Sequence, residues 1–278
     1  MTAAQRIRRL VALGLRDIHC RAQPRAYDAR SAGLMSGGAN ASPEIAELHE
    51  SGNGGGVPGR RPVLRAHGST LPRLDRMVNE VSTAAYSRRA REYTGLLGSM
   101  AAVHPSDLQL VSKWASDVDG EIVDAGCGPG HWTNFLAEQG HVARGVDLVP
   151  EFVTSATNTF PRVSYTLGSL DSLDAGTGSI GGILSWYSLI HYEPATIRIP
   201  LQEFSRVLRP GGTLLVGFFE SQTVEEFAHA VTPAYRWSVD DLGTELNATG
   251  FDVVESHVRK TAGQRPVAAI VARRRDAH

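Results

Sequence analysis

The stretch that most constrains this chain is residues 121–130, EIVDAGCGPG. Ile122 and Val123 form an apolar run short enough for a buried strand, and Asp124 closes it. Gly126, Gly128 and Gly130 follow, ahead of a helical pattern from His131 to Gln139. A strand, a glycine turn and a helix in that order bring backbone close to a ligand. Glycine has no Cβ in the way, and the first turn of a helix carries unpaired N–H groups. The stretch predicts a cradle for a nucleotide-like cofactor.

Spacing then restricts which cofactor. In a dinucleotide fingerprint the third glycine lies three residues beyond the second, and the helix start meets a pyrophosphate. Here Gly130 follows Gly128 by two, and Asp124 sets a carboxylate where a pyrophosphate would be repelled. NAD is disfavoured and a cationic ligand fits better. The pattern hydrophobic, acidic, x, Gly, x, Gly, x, Gly resembles motif I of the class I S-adenosylmethionine-dependent methyltransferases. GVDL at 145–148, SWYSLIHYEP at 185–194 and LRPGG at 208–212 extend the resemblance over roughly residues 80–273. It implies an α/β fold with a Rossmann-like, doubly wound seven-stranded sheet, mostly parallel with an antiparallel last strand. It also implies S-adenosyl-L-methionine as cofactor and a small-molecule methyl acceptor. The rival from another class is a non-catalytic regulatory or partner protein that binds the cofactor without turnover.

The same resemblance assigns expected roles to residues. The turn formed by Gly126, Cys127, Gly128 and Gly130 would lie along the methionine and ribose of the cofactor, with Asp124 close by. Asp147, 17 residues after Gly130, ends the expected second strand, with Leu148 next to it. One carboxylate there accepts hydrogen bonds from both ribose hydroxyls; capping the next helix is the other role open to it. The loop GSLDSLD at 168–174 would face the adenine amino group, with Ser169, Leu170 and Asp171 as alternative readers. Ser185 and Trp186 end the fourth strand at the sheet's carboxyl edge, where open α/β sheets bind ligands. Gly181 and Gly182 stand where relatives often carry an aspartate. His191 is a candidate base for a substrate proton and equally a candidate structural histidine.

Upstream, Tyr86, Ala90, Tyr93 and Leu97 recur at helical spacing and share one face. Tyr86 and Tyr93 are either core anchors or a lid over the cofactor. Ser106 is the expected N-cap of a second helix ending at Ser116. Residues 1–75 hold a short basic amphipathic segment and a Gly/Ser/Pro-rich tract including SGNGGGVPG. They are expected to be a disordered or misassigned extension ahead of a methyltransferase domain at 76–278.

Composition removes other classes. A net charge of −1 offers nucleic acid no general attraction, and no run of eighteen apolar residues signals a membrane span. Cys20 and Cys127 stand alone, which supports neither a disulfide framework nor a metal site and suits a reducing cytoplasm. Lysine occurs only at Lys113 and Lys260, an arginine bias that points to a GC-rich, bacterial genome. The sequence leaves the oligomeric state and the acceptor open.

Overall fold

The computed structural model describes residues 72–276, with side chains from residue 80 onward. The expected extension falls, up to residue 71, outside the described residues, and Cys20 lies there too. Helix α1 (Pro72–Leu97) begins four residues ahead of the expected domain boundary, and a 3₁₀ turn (Met100–Ala102) leads to α2 (Pro105–Ser116). The cap of α2 is His104, not Ser106: the imidazole accepts the Ser106 backbone N–H at 3.2 Å, and Pro105 takes the first helical position.

A doubly wound unit follows. It runs β1 (Ile122–Ala125), α3 (His131–Glu138), β2 (Ala143–Asp147), α4 (Pro150–Thr159), β3 (Ser164–Leu167), β4 (Ile180–Trp186), α5 (Arg198–Val207) and β5 (Leu208–Phe219). After it come β6 (Glu225–Phe227), β7 (Ala234–Arg236), α6 (Val239–Ala248), β8 (Phe251–Arg259) and β9 (Val267–Arg274). Seven strands form one sheet in the order β3-β2-β1-β4-β5-β9-β8, and β9 alone runs antiparallel to its neighbours. The antiparallel pair β6–β7 stands apart from it.

The sheet is covered on both faces, so its strands read as continuous apolar runs rather than alternating ones. Successive residues go to opposite sides. Val123, Ile183, Leu214 and Ile270 pack with Leu201 and Phe204 of α5 and Leu242 and Leu246 of α6. Ile122, Leu184, Leu215 and Val271 pack with Val111 and Trp114 of α2 and Trp132 and Leu136 of α3. Each such side chain, fully buried, contributes about 1.5–3 kcal/mol of transfer free energy.

Two glycine pairs settle details the sequence left as irregularities. A Cβ on Gly181 would lie 2.0 Å from the Asp119 carbonyl oxygen, and one on Gly182 would meet Val118 and Trp114. These glycines let the end of α2 close on β4. In LRPGG, Leu208 already pairs with Ile180, while Thr213 pairs with Gly182, so residues 209–212 bulge out of β5. The expected turn before the strand is therefore a bulge within it.

Strand order reverses between β1 and its neighbours β2 and β4. A crevice opens outside the carboxyl ends of strands at such a switch point, and it is there that the glycine turn lies.

Candidate functional site

The glycine turn takes its shape from three left-handed backbone positions, at φ 81° for Gly126, 52° for Gly128 and 83° for Gly130. Val146 of β2 holds its start: the N–H groups of Gly126 and Cys127 donate to the Val146 carbonyl at 2.8 and 3.0 Å. Asp147 holds its middle. One carboxylate oxygen accepts the Gly128 N–H at 2.8 Å and the other accepts the Val149 N–H at 2.8 Å, joining the turn to the start of α4.

Above the turn lies a cleft with about 750 Å³ of unfilled space, part of it open to solvent. Nine of the residues expected from the sequence line it: Tyr86, Tyr93, Gly126, Gly128, Asp147, Leu148, Leu170, Trp186 and His191. Five do not. Asp124 is only 1% exposed beneath the turn, where its carboxylate accepts the Thr133 hydroxyl at 2.7 Å. Cys127 is turned away: its Sγ would sit 2.7 Å from a Cβ on Gly145, in a cluster with Ala156 and Tyr165. Gly130 caps α3, and its carbonyl accepts the Tyr165 hydroxyl at 3.0 Å. Ser169 accepts its own loop's Asp171 N–H at 3.2 Å, and Ser185 is buried against the Ser188 hydroxyl at 2.7 Å.

Further lining residues escaped sequence reasoning: Ser82 and Thr83 from α1, Val149 and Phe152 from the start of α4, and Ser188 and Tyr192 beyond β4. Tyr187, a lining candidate together with Trp186 in the aromatic run SWYSLIHYEP, lines the cleft as well. It is the one non-glycine residue with positive φ among those described, at 58°, and its N–H donates to the Gly217 carbonyl at 3.0 Å. Strain of this kind persists only where surrounding packing fixes it. Here Trp186 occupies the space a Cβ on Gly217 would need, and Tyr187 packs on Phe219.

The aromatic wall is continuous. Tyr86 meets Tyr93 edge-on at 5.7 Å between ring centres, and both contact Phe152, at 5.9 and 5.3 Å. The Tyr86 hydroxyl lies 2.9 Å from His191 Nε2, and His191 Nδ1 lies 2.9 Å from the Pro233 carbonyl. A carbonyl only accepts, so Nδ1 carries the proton of the neutral ring and Nε2 accepts the Tyr86 O–H. Burial lowers the His191 pKa, against an opposing effect of the Pro233 bond.

Electrostatically the cleft is short of positive charge. No Lys or Arg lines it among the described residues. Burial pushes Asp147 up to about 6, although its backbone hydrogen bonds pull the other way, and pushes Asp124 up to about 7. Burial first, and then the field of Asp147, raises Tyr93 to about 12; Tyr86 is raised as well, by burial, Tyr93 and Asp147. A buried carboxylate without a cationic partner, ringed by aromatic faces, matches a ligand that is cationic and bears hydroxyl donors. A pyrophosphate would meet no compensating charge. The open face of Gly128, where an added Cβ would touch nothing within 4 Å, lets such a ligand reach the turn's backbone. Among the described residues no group of three or more His, Cys, Asp or Glu side chains is placed to hold a metal, and no helix is long and apolar enough to cross a membrane.

Comparison with known proteins agrees with this chemistry. Residues 122–212, from β1 into β5, match the family described as methyltransferase domain. An uncharacterized methyltransferase of Synechocystis is 26% identical over 157 residues, half of this chain and 69% of the relative. The 2-heptyl-1-hydroxyquinolin-4(1H)-one methyltransferase of Mycobacteroides abscessus is 27% identical over 172 residues, 55% of this chain and 74% of the relative. Among solved structures, 1,6-didemethyltoxoflavin-N1-methyltransferase of Burkholderia thailandensis, with bound 1,6-didemethyltoxoflavin and S-adenosylhomocysteine, superposes with a TM-score of 0.61 at 25% identity. The match covers 77% of this chain and 94% of that one. The sheet order, the glycine turn and these matches identify the region from β1 into β5 as a methyltransferase domain of the class I S-adenosylmethionine-dependent kind, with S-adenosyl-L-methionine as its cofactor.

Proposed function

We propose that the chain transfers a methyl group to a small-molecule acceptor bound in the cleft above the glycine turn. The observation that carries this reading is Asp147, a buried carboxylate in an aromatic cleft with no cation beside it among the described residues. Two of its acceptor positions hold the Gly128 and Val149 N–H groups, and the others remain for the ribose hydroxyls of the cofactor. Gly126 and Gly128 let the backbone approach, Leu170 and Phe152 supply apolar wall, and Tyr86 and Tyr93 of α1 cover the cleft. When bound, the cofactor supplies an electrophilic methyl group on a sulfonium. The residues of the chain orient the acceptor, exclude water and receive its proton.

The acceptor class is read from the cleft and from relatives. The cleft is aromatic and, among the described residues, lacks the basic lining that would neutralise phosphates, which disfavours nucleic acid. Two of these relatives are named for heteroaromatic compounds, a hydroxyquinolone and 1,6-didemethyltoxoflavin. A cytoplasmic location is proposed with this reading.

Calorimetric titration with S-adenosylmethionine and S-adenosylhomocysteine, with NAD as control, tests the site. Asp147→Ala is expected to weaken both sulfur ligands about 100-fold, the scale of two lost charge-assisted hydrogen bonds. Affinity for NAD equal to that for S-adenosylmethionine, or an Asp147→Ala variant that binds as well as the wild type, would overturn the assignment. Turnover on a panel of phenolic and N-hydroxy heteroaromatic compounds separates the enzyme from a cofactor-binding regulator.

A further inference from the structure

We infer that Tyr86 and His191 act as one proton relay, in which the Tyr86 hydroxyl is the group that touches the acceptor and His191 receives the proton behind it. This rests on the methyl-transfer reading and specifies its substrate class: acceptors whose accepting oxygen or nitrogen carries an ionisable proton.

Direction is fixed by the hydrogen bonds. The Pro233 carbonyl takes the Nδ1 proton at 2.9 Å, so Nε2 is a bare lone pair, and the Tyr86 hydroxyl fills it at 2.9 Å. The Tyr86 oxygen donates its only proton to His191 and keeps two lone pairs, in a residue that lines the cleft. An acceptor X–H therefore meets a hydroxyl oxygen already polarised to accept. The X–H bond breaks as its proton passes to Tyr86 Oη, and the Tyr86 proton passes to Nε2. The electron pair left on X would form the bond to the methyl group of the bound cofactor as the methyl–sulfur bond breaks, its electron pair returning to sulfur, which leaves as the neutral thioether. Tyr86 ends as a neutral phenol and His191 as an imidazolium, so the proton released by methylation is accounted for. Tyr86 never has to hold a full negative charge, which burial and the neighbouring Tyr93 and Asp147 would oppose.

Surrounding groups make His191 a station and not a store. His229 packs edge-on against its ring at 5.3 Å between centres, and its own Nε2 is buried without a hydrogen-bond partner. Arg89 of α1, which reaches the Ala230 carbonyl, and Arg265, which lies over the Phe227 ring, add positive field around His229. An imidazolium at His191 thus packs against His229, which itself stands in the positive field of the two guanidinium groups, with the Tyr86 ring on another side. Burial also disfavours the charged ring, so loss of the proton restores the neutral base for the next turnover. Tyr86 is the catalytic group in this arrangement, and His229 is a positioning residue that packs the base in place.

The test uses the full chain with ¹⁵N-labelled histidine, saturated with S-adenosylhomocysteine and titrated separately with phenol and anisole, which differ in the proton on oxygen. His191 is expected to show the tautomer protonated at Nδ1. Phenol should shift its Nε2 resonance and anisole should not. In Tyr86→Phe the phenol response at His191 is expected to vanish, and His191→Gln identifies the resonance. A tautomer protonated at Nε2, no response to phenol, equal responses to both probes, or a response that survives Tyr86→Phe would each overturn the relay. Failure of the wild type to bind S-adenosylhomocysteine, measured beforehand by calorimetry, would instead overturn the cofactor site on which the relay depends.

Discussion

Gly126 and Gly128 sit two residues apart in the same turn, both with positive φ, yet their surroundings differ. A Cβ on Gly126 would lie 2.2 Å from Ser188 Cβ, whereas one on Gly128 would meet nothing within 4 Å. Alanine at 126 therefore adds a clash with Ser188 Cβ to conformational strain. Gly126→Ala is expected to lower unfolding free energy by about 2–4 kcal/mol, measured by urea denaturation. Gly128→Ala carries the strain alone, about 1 kcal/mol, and its new methyl group projects into the space the cofactor needs. The variant should melt close to the wild type and bind S-adenosylhomocysteine at least tenfold more weakly. Equal destabilisation by both substitutions would mean that Ser188 yields and that the loop after β4 does not press on the turn. Spacing in the sequence made both glycines visible as a turn; their different surroundings depend on residues more than 60 positions away and were not visible.

At the scale of elements, the sheet was largely legible because strands buried on both faces announce themselves as apolar runs. Ile122–Ala125, Ile180–Trp186 and Val267–Arg274 are of this kind. The short pair β6–β7 was not. Three-residue strands carry too little pattern, and theirs holds through Arg236–Glu225 pairing and Phe227 packing that arise only in three dimensions. The cap of α2 was misplaced for a local reason: the histidine ahead of Pro105 accepts the backbone N–H of the serine two residues on, so the helix starts before that serine can cap it. Candidate site residues on the turn and at strand ends were legible as spacing, while Phe152, Ser82 and Thr83 enter the cleft only because α1 crosses α4. Tyr86, Ala90 and Tyr93 pack on Val149 and Phe152, the Ser87 hydroxyl donates to Glu151 at 2.7 Å, and Arg89 reaches the Ala230 carbonyl. A helix packed on one face opens more readily than a sheet buried on both. Hydrogen exchange in α1 is expected to be faster than in β1, β4 and β5, and to slow on S-adenosylhomocysteine binding while the strands stay unchanged. Exchange in α1 that ignores the ligand would contradict its role as a cover.

For the molecule as a whole, buried ionisable groups of both signs set how stability follows pH. Asp124, pushed up to about 7, and Asp147, pushed up to about 6, keep protons in the folded chain that the unfolded chain releases near 3.8. Their contribution is full below about 3.8 and is lost as pH rises through 6 and 7. His131 is held down to about 4 by burial, and His229 to about 3 by burial and then by His191, Arg265 and Arg89, from an ordinary 6.5. Their contribution is full above 6.5 and is lost as pH falls through 4 and 3. Between about pH 4 and 6 the two pairs act with opposite slopes, so the unliganded protein is expected to melt at a nearly constant temperature there. A cationic ligand with ribose hydroxyls changes one side of this balance, because it favours ionised Asp147. In acid it must displace a proton from that buried carboxyl, and above the raised pKa it need not. At one fixed concentration of S-adenosylmethionine the rise in Tm is therefore expected to grow from pH 5 to pH 8. In Asp147→Asn, which has no proton to release, the rise should be smaller and its pH dependence flatter. A rise that is as large at pH 5 as at pH 8 in the wild type would show that Asp147 does not ionise for the ligand, and the ribose contact would then have to come from another residue.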